Sequence, residues 1–297
     1  MKILIIVLVI ILFNVILDQW SKYKFKKNNF PPNIIFPLKE DIKLPEVEEA
    51  NNITKKIYRC HKNKKDIDKY QEVIDKTKKL MPEYEQIIYD DQDIENFIKN
   101  NFNERIWNAY NAINPKYGPA KADFFRYLII YLHGGVYLDI KSGPVSDEIN
   151  KIIDKNQDKL LTSIGQNFPV GLIPRFHLLD NNYDDWSAFT GTYYNEYVQW
   201  FIISPKGNKI IKEMIKQMVS NIEYGLENKE IYNKGNISVV AMTGPIAYSL
   251  VIQRNKDKKV RIFNNGLNGS LYHHLVDYKK IEKGKHYRNL KDKNVLL

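Results

Sequence analysis

Four charged residues, close together in the sequence, have types and spacing that could hold a polar ligand. Asp123 and Arg126 are three positions apart, so a helix would place them on one face. Asp139 follows the apolar residues "VYL", and Lys141 comes two positions later. Fixed carboxylates and a guanidinium suit a ligand with many hydroxyl groups, and an ammonium suits an anionic group. These residues therefore predict a binding site.

Two adjoining elements are predicted to position the four residues. Residues 119–133 have the pattern of a helix, and Gly134-Gly135 ends it because glycine adopts left-handed torsions without a Cβ clash. The segment "VYLDI", residues 136–140, then predicts a buried strand. Strand alternation would place residues 139 and 141 on one side. Ligands of open α/β sheets bind beyond the carboxyl ends of strands, which is where Asp139 would lie.

A plainer interpretation of the same residues is also open. Asp123 and Arg126 could form a surface pair on a helix, and Asp139 could cap a turn. Two acids and an arginine that converge on one strand end, around a glycine corner, favour a binding site over three unrelated roles.

The rest of the chain predicts an α/β domain. "KKIYRC" and "EQIIYDD" have the composition of short strands, whereas residues 66–80 and "DIENFIKNNF" have helical patterns. Strands that alternate with helices indicate a mostly parallel central sheet flanked by helices. Residues 165–195, rich in Gly, Asn, Asp and Tyr, predict a long loop over a site.

The composition limits the classes of partner and of reaction that the chain is expected to have. The 297 residues carry a formal charge of +10, which favours anionic partners such as nucleotides, phosphates or membrane surfaces. Aromatic and basic residues are not interleaved as a nucleic-acid platform requires, so no nucleic-acid partner is expected. Cys60 is the single cysteine, which excludes an intrachain disulfide. The sequence has no Gly-x-Ser-x-Gly elbow, which leaves Ser-His-Asp hydrolysis without support.

The amino-terminal segment predicts a membrane anchor. Residues 3–17 are almost entirely apolar, and Trp20 and Tyr23 could lie at the interface. A cleaved signal peptide is the alternative, but no small-x-small cleavage site follows the run. We therefore predict an anchor at 1–20, a proline-containing stem at 21–52 and one catalytic domain at 53–297.

The side of the membrane is left open. Lys22, Lys24, Lys26 and Lys27 follow the apolar run, and the positive-inside rule would place the domain in the cytosol. Three glycosylation sequons, which begin at Asn52, Asn236 and Asn268, point to a lumenal, Golgi-type location instead. Asn is so abundant in this chain that sequons arise by chance, and the location is predicted only as a single-pass membrane protein.

The segment "KADFFRYLIIYLHGGVYLDIK" resembles the signature of glycosyltransferase family 32, the DXD-containing sugar transferases. It resembles the glucosylating clostridial toxins more distantly. The order Asp-x-x-Arg, Gly-Gly, aromatic, Asp is specific, and the likeness covers roughly residues 53–275. Weaker support comes from "ITKKIYRCHK", "MPEYEQIIYDD", "YVQWFIISPKGNKIIKEMI", "MTGPIAYSL" and "YHHL".

The resemblance implies a GT-A nucleotide-diphospho-sugar transferase fold. It also implies transfer of a sugar from a nucleotide-sugar donor to a hydroxyl of a glycan or lipid acceptor, with retention of anomeric configuration. By resemblance, Asp123 and Arg126 would grip the donor sugar. Asp139 would serve the ribose or a metal ion.

Further substrate contacts are predicted outside the central segment. Tyr58 or His61, which follow the first strand, could lie near the nucleotide base. Gly135 lies in the glycine corner, and Thr243-Gly244 belongs to a tight loop that would let the backbone approach substrate.

The chain departs from the family at Lys141, where relatives have a second carboxylate. Three interpretations are open. Mn²⁺ or Mg²⁺ could persist, held by Asp139, the diphosphate and a late histidine, His274 or His273. Alternatively, Lys141 could itself neutralise the diphosphate. In the third interpretation the site has decayed, which would leave a nucleotide-sugar or glycan-binding protein on the same fold.

Overall fold

The computed structural model describes residues 37–165, 168–169, 193–194, 197–229, 235–255, 259–276 and 294–297. The chain divides into two compact units. One comprises Met1–Phe36 and Gln166–Glu196, and its described part is an antiparallel pair of two-residue strands, β6 (Phe168–Pro169) and β7 (Tyr193–Tyr194). The other comprises Pro37–Gly165 and Tyr197–Leu297 and contains the candidate site.

The larger unit is built from alternating strands and helices. Its strands are β1 (Lys56–Cys60), β2 (Glu85–Tyr89), β3 (Gly135–Leu138), β4 (Gly143–Pro144), β5 (Leu160–Ile164), β8 (Phe201–Ser204), β9 (Val260–Asn264) and β10 (Leu271–Tyr272). Its α-helices are α1 (Gln71–Leu80), α2 (Asp91–Asn101), α3 (Glu104–Ala112), α4 (Gly118–His133), α5 (Glu148–Asp154), α6 (Lys209–Glu227), α7 (Gly235–Met242) and α8 (Pro245–Asn255). A 3₁₀-helix spans Lys64–Tyr70, and a left-handed turn spans Asn265–Gly269.

Six strands form the central sheet in the order β2-β1-β3-β8-β5-β9. β1 pairs in parallel with β2 and β3, and β5 pairs in parallel with β9. β8 runs antiparallel to β3 and β5, so it is the one reversed strand of this described sheet. The prediction of an α/β domain with a mostly parallel central sheet is confirmed.

Helix α4 and strand β3 meet at a corner that only glycine fits. Gly134 and Gly135 have φ angles of 65° and 103°, in the region that side chains disfavour. A Cβ at Gly134 would lie 2.6 Å from the backbone nitrogen of Lys206, and one at Gly135 would lie 2.7 Å from the carbonyl oxygen of Lys56. The corner therefore lets α4 turn directly into a strand that enters the middle of the sheet.

The core is centred on β3 and its neighbours. Ile57 of β1, Val136 and Leu138 of β3, and Phe201 and Ile203 of β8 are almost completely buried in one apolar cluster. Since β3 is buried on both faces, the polar residues that follow it leave the core at a fixed place.

The described part of the predicted stem, residues 37–52, belongs to the larger unit. Ile42 and Leu44 are buried, and the Tyr131 hydroxyl donates to the carbonyl oxygen of Pro45 at 2.9 Å. The domain boundary at residue 53 stays a prediction. The predicted loop 165–195 lies largely outside the described residues, apart from Gly165 and the short β6–β7 pair.

The predicted membrane localisation is corrected. Within the part of the chain that the structure describes, no helix combines the length and the apolar character needed to cross a bilayer. This finding contradicts the single-pass membrane protein expected from the sequence, and that localisation is not retained. The predicted anchor, residues 1–20, itself lies outside the described residues.

Candidate active site

The strand that carries the central acid ends earlier than predicted. β3 stops at Leu138, and Asp139–Ser142 form a reverse turn in which the Ser142 amide donates to the Asp139 carbonyl at 2.8 Å. The Asp139 amide still donates to the Trp200 carbonyl at 2.9 Å, which anchors the turn to the sheet. The strand alternation that was expected to put residues 139 and 141 on one side does not apply, because both residues lie in the turn that follows the strand.

Arg59 of β1, which was not predicted as a site residue, holds the backbone of this turn in place. Its Nη1 donates to the carbonyls of Asp139 at 3.0 Å and Ser142 at 2.7 Å, and its Nη2 donates to Thr77 Oγ1 at 2.9 Å. Burial lowers the pKa of the Arg59 guanidinium to about 10, which leaves it charged at neutral pH. The available signal was an arginine inside the strand "KKIYRC".

Arg126 bridges the two predicted carboxylates. Its Nη1 lies 3.0 Å from Asp123 Oδ1, and its Nη2 donates to Asp139 Oδ1 at 2.9 Å. The side chains of Arg126, Asp123 and Asp139 are 4%, 8% and 24% exposed. The Arg126 Nε atom is buried and has no hydrogen-bond partner among the described residues. The structure thus brings the residues of α4 together with the end of β3, and it leaves Asp139 partly open.

Asp123 is held by three donors. Besides Arg126, Gln199 Nε2 donates to its Oδ1 at 2.9 Å and Thr243 Oγ1 donates to its Oδ2 at 3.2 Å. The Tyr127 hydroxyl donates to Gln199 Oε1 at 3.1 Å and orients that amide. Burial nevertheless raises the pKa of Asp123 to about 7, against the attraction of Arg126. Gln199 was missed because nothing in the sequence links it to residues so far away.

Asp139 keeps its charge more readily. Burial raises the pKa of Asp139, but Arg126, His273 and Lys141 together lower it by more. The resulting pKa lies below the usual range. His273 Nε2 lies 3.5 Å from Asp139 Oδ2, and the imidazole stacks on Trp200 with ring centroids 5.1 Å apart. The structure therefore brings His273 to this carboxylate, whereas the sequence left His274 and His273 both open.

His274 lies next to His273 in the structure. Its ring lies 4.1 Å from that of His273. Its pKa is lowered to about 4 by burial first, and then by the charges of His273 and Lys141. His274 is therefore neutral at physiological pH.

Lys141 is half-buried on the turn, beside the chain segment that carries both histidines. The Leu275 amide donates to the Lys141 carbonyl at 3.0 Å, and the Ser142 hydroxyl donates to the His273 carbonyl at 3.0 Å. The Lys141 charge lowers the pKa of both Asp139 and His274. Its ammonium thus belongs to the electrostatic environment of the carboxylate.

The remaining predicted residues divide into two groups. Thr243 contacts Asp123, and Gly244 follows it at the end of α7, where its amide donates to Val239 at 3.0 Å. Gly135 lies at the opposite end of β3 from Asp139, and Tyr58 is buried beside it. The structure therefore does not bring Tyr58 and Gly135 together with the carboxylates.

The donor set around Asp139 does not fit a divalent cation. No group of three or more His, Cys, Asp or Glu side chains suited to a metal occurs among the described residues. Asp139 Oδ1 is engaged by Arg126, which leaves Oδ2 and His273 Nε2 beside the Lys141 charge. Hard divalent cations prefer several oxygen ligands and are repelled by adjacent permanent cations.

Comparison with known proteins agrees with the predicted resemblance. Residues 67–159, which include Asp123, Arg126, Asp139 and Lys141, match the family model described as "Glycosyltransferase sugar-binding region containing DXD motif". The resemblance to the DXD-containing sugar transferases is confirmed over these residues.

The matched relatives are similar to this chain over part of their length. An initiation-specific alpha-1,6-mannosyltransferase of Schizosaccharomyces pombe is 27% identical over 168 residues, which cover 55% of this chain and 39% of the relative. An uncharacterized glycosyltransferase, L373, of Acanthamoeba polyphaga mimivirus is 44% identical over 52 residues, which cover 18% of this chain and 20% of the relative. The chain thus spans well under half the length of these relatives.

A solved structure shows a weak overall likeness. The PaToxG glycosyltransferase is 14% identical and has a TM-score of 0.42, with 82% of this chain and 80% of that chain covered. A score of this size does not establish a shared fold.

Proposed function

We propose that the chain transfers a sugar from a nucleotide-sugar donor to a hydroxyl of a glycan or lipid, because residues 67–159 match the sugar-binding region of the DXD-containing glycosyltransferases. The domain would be of GT-A type and span 53–297. The observation that carries the proposal is the Asp123–Arg126–Asp139 bridge at the end of β3. A mannosyl donor is the first candidate, since the Schizosaccharomyces pombe relative is named a mannosyltransferase.

The bridge provides the donors and acceptors that a sugar needs. Asp123 would accept hydrogen bonds from sugar hydroxyls, and the buried Arg126 Nε is a donor that has no acceptor in the described part of the protein. Asp139, the most exposed of the three, would receive the ribose. Thr243 and Gly244 would line the sugar pocket because Thr243 already contacts Asp123. The contacts of Tyr58 and Gly135 with substrate stay predictions, since neither residue lies beside these carboxylates.

In the proposed reaction the bond from the anomeric carbon to the diphosphate breaks, and a bond from that carbon to the acceptor oxygen forms. The nucleoside diphosphate leaves with the bonding electrons, and the proton of the acceptor hydroxyl passes to the departing diphosphate. Cationic side chains near the leaving group lower the barrier by stabilising this charge. Retention of configuration follows from the resemblance alone. Mn²⁺ or Mg²⁺ was predicted, but no step is assigned to an ion that the donor set does not fit.

The test is turnover of a panel of UDP- and GDP-sugars, with sugar–acceptor products identified by mass spectrometry. Asp139→Asn keeps the size of the side chain but removes its charge, and we expect turnover to fall at least about 100-fold. Asp41→Asn, an exposed carboxylate paired with a different arginine, is the matched control and should leave turnover unchanged. Equal turnover by wild type and Asp139→Asn would contradict the proposal.

The second candidate is a noncatalytic nucleotide-sugar or glycan-binding protein. The observation that favours it is Lys141, which stands where relatives have a second carboxylate. Binding of nucleotide-sugars without turnover of any of them, at protein concentrations that exceed the dissociation constant, would support this candidate and exclude the transferase.

A further inference from the structure

We propose that this chain binds the diphosphate of its donor through the side-chain cations Lys141 and Arg126, with His273 as a hydrogen-bond donor, and needs no divalent metal ion. This inference rests on the proposed function and specifies how the same site holds its nucleotide. It differs from the metal-bound arrangement that the sequence resemblance implied.

The backbone around Lys141 is held in place from two sides. Arg59 donates to carbonyls of the 139–142 turn from within the sheet. From the other side, β10 pairs with β4, and the Leu275 amide donates to the Lys141 carbonyl. Because both supports act on the backbone, Lys141 stands on a fixed turn, two residues after Asp139.

The charges near Asp139 suit a diphosphate better than they suit a cation. Arg126 and Lys141 are permanent cations, whereas Asp139 is the one partly exposed carboxylate among the residues bridged by Arg126. Asp123 lies deeper and is half protonated near neutral pH. A divalent ion would meet two like charges here, whereas a diphosphate would meet charge-assisted donors.

His273 supplies a further donor. Its Nε2 atom is buried, has no hydrogen-bond partner among the described residues and is directed at Asp139 Oδ2 from 3.5 Å. The stack on Trp200 and the hydrogen bond from Ser142 Oγ to the His273 carbonyl fix the imidazole. A phosphate oxygen that approaches Lys141 could accept the Nε2–H hydrogen bond, which this atom otherwise lacks.

The first experiment measures binding of UDP and GDP by titration calorimetry, in EDTA and in Mn²⁺. We expect the better nucleotide to bind in EDTA with an affinity within about twofold of that in Mn²⁺, and to bind more weakly as salt is added. Lys141→Ala should weaken binding in EDTA roughly 10- to 100-fold, the loss typical of a charge-assisted contact. Lys151→Ala, which removes an exposed lysine of α5, is the matched control and should bind as wild type does.

The second experiment adds Lys141→Asp, which recreates the spacing of two carboxylates. It should bind in EDTA more weakly than Lys141→Ala, since it adds repulsion toward the diphosphate. Thermal unfolding of each variant checks that the turn remains folded. Wild-type binding that requires Mn²⁺, or Lys141→Asp binding in EDTA as tight as wild type, would overturn the inference and leave the transferase proposal standing. Absence of nucleotide binding in every buffer would overturn both.

Discussion

Two arginines of this fold each bridge two carboxylates from different elements, and they differ in burial. Arg126 joins Asp123 of α4 to Asp139 after β3, and its side chain is 4% exposed. Arg105 of α3 donates through Nε to Glu223 of α6 at 2.6 Å and through Nη1 to Asp41 at 2.8 Å, and its side chain is 31% exposed. The two clusters contain the same chemical groups in different surroundings.

Burial reverses the direction of the pKa shift for Asp123, the deeper carboxyl group of the Arg126 cluster, although the pKa of Asp139 is lowered. In the buried cluster the pKa of Asp123 rises to about 7 because desolvation outweighs the pull of Arg126. In the exposed cluster the hydrogen bonds from Arg105 outweigh desolvation, and the pKa values of Glu223 and Asp41 fall. An arginine between two acids thus poises one acid near neutrality only where water is excluded.

The clusters also hold different parts of the chain. The Arg105 cluster attaches the segment before the first strand to helices α3 and α6. The Arg126 cluster orients charges at the end of a central strand, where a ligand has access to Asp139. The comparison predicts that disruption of the first cluster affects stability slightly, and that disruption of the second affects both stability and activity.

The largest effect is expected from Arg126→Met compared with Arg105→Met. Arg126→Met leaves two carboxylates without their counter-ion in a buried site, which should cost about 3–5 kcal/mol of unfolding free energy. Arg105→Met should cost about 1 kcal/mol or less, because its partners remain accessible to water. Urea denaturation of the purified variants measures both values.

A double variant serves as the control for this comparison. Asp123→Asn combined with Arg126→Met removes one of the uncompensated charges and should recover part of the lost stability. Equal costs for the two single arginine variants would show that burial is not what separates the clusters.

An intermediate effect is expected from pH. Asp123 has a pKa of about 7 in the folded chain and an ordinary, lower value when unfolded, so the folded state binds the extra proton between about pH 4 and pH 7. This contribution to stability is complete below about pH 4 and is lost as the pH rises through 7. Asp123→Asn should therefore gain stability relative to wild type between pH 5 and pH 8.

Asp41→Asn is the counterpart in the exposed cluster. The pKa of Asp41 is lowered, so its contribution is present above its unfolded pKa and is lost only in acid. Unfolding free energies measured from pH 5 to pH 8 should differ between wild type and Asp41→Asn by a constant amount. A pH-dependent difference for Asp41→Asn, or none for Asp123→Asn, would contradict the assignment of the two environments.

The smallest effect is expected from salt. Ion pairs that are open to water are screened at high ionic strength, whereas buried pairs are screened much less. In about 0.5 M NaCl, the small cost of Arg105→Met in unfolding free energy should therefore become smaller still. The cost of Arg126→Met should persist. Denaturation of both variants at two salt concentrations tests this, and equal salt sensitivity would contradict the comparison.

Much of the site could be found in the sequence because its parts are local. Asp123 and Arg126 lie one helical turn apart, and a glycine pair joins their helix directly to the strand before Asp139. Helical periodicity, glycine conformation and an apolar strand are all visible over short distances. The sheet type could likewise be predicted from the alternation of elements.

Other parts could not be predicted because they depend on contacts between distant segments. Gln199 and Thr243 reach Asp123 from other elements, and Arg59 contacts the turn across the sheet. The choice between His273 and His274 depended on how the last described strand pairs with β4. The predicted length of β3 was also wrong, because Arg59, which belongs to another strand, stabilises the turn at residues 139–142.

The sequence by itself determined that Asp139 stands at the end of a buried strand and that Lys141 follows it in place of a carboxylate. Only the tertiary structure decided what surrounds them. Asp139 and Lys141 lie in a turn, Arg126 occupies one oxygen of Asp139, and His273 faces the other. The physical reason is that residue type and local spacing are encoded along the chain, whereas burial and the partners of a charge arise from segments that meet only on folding.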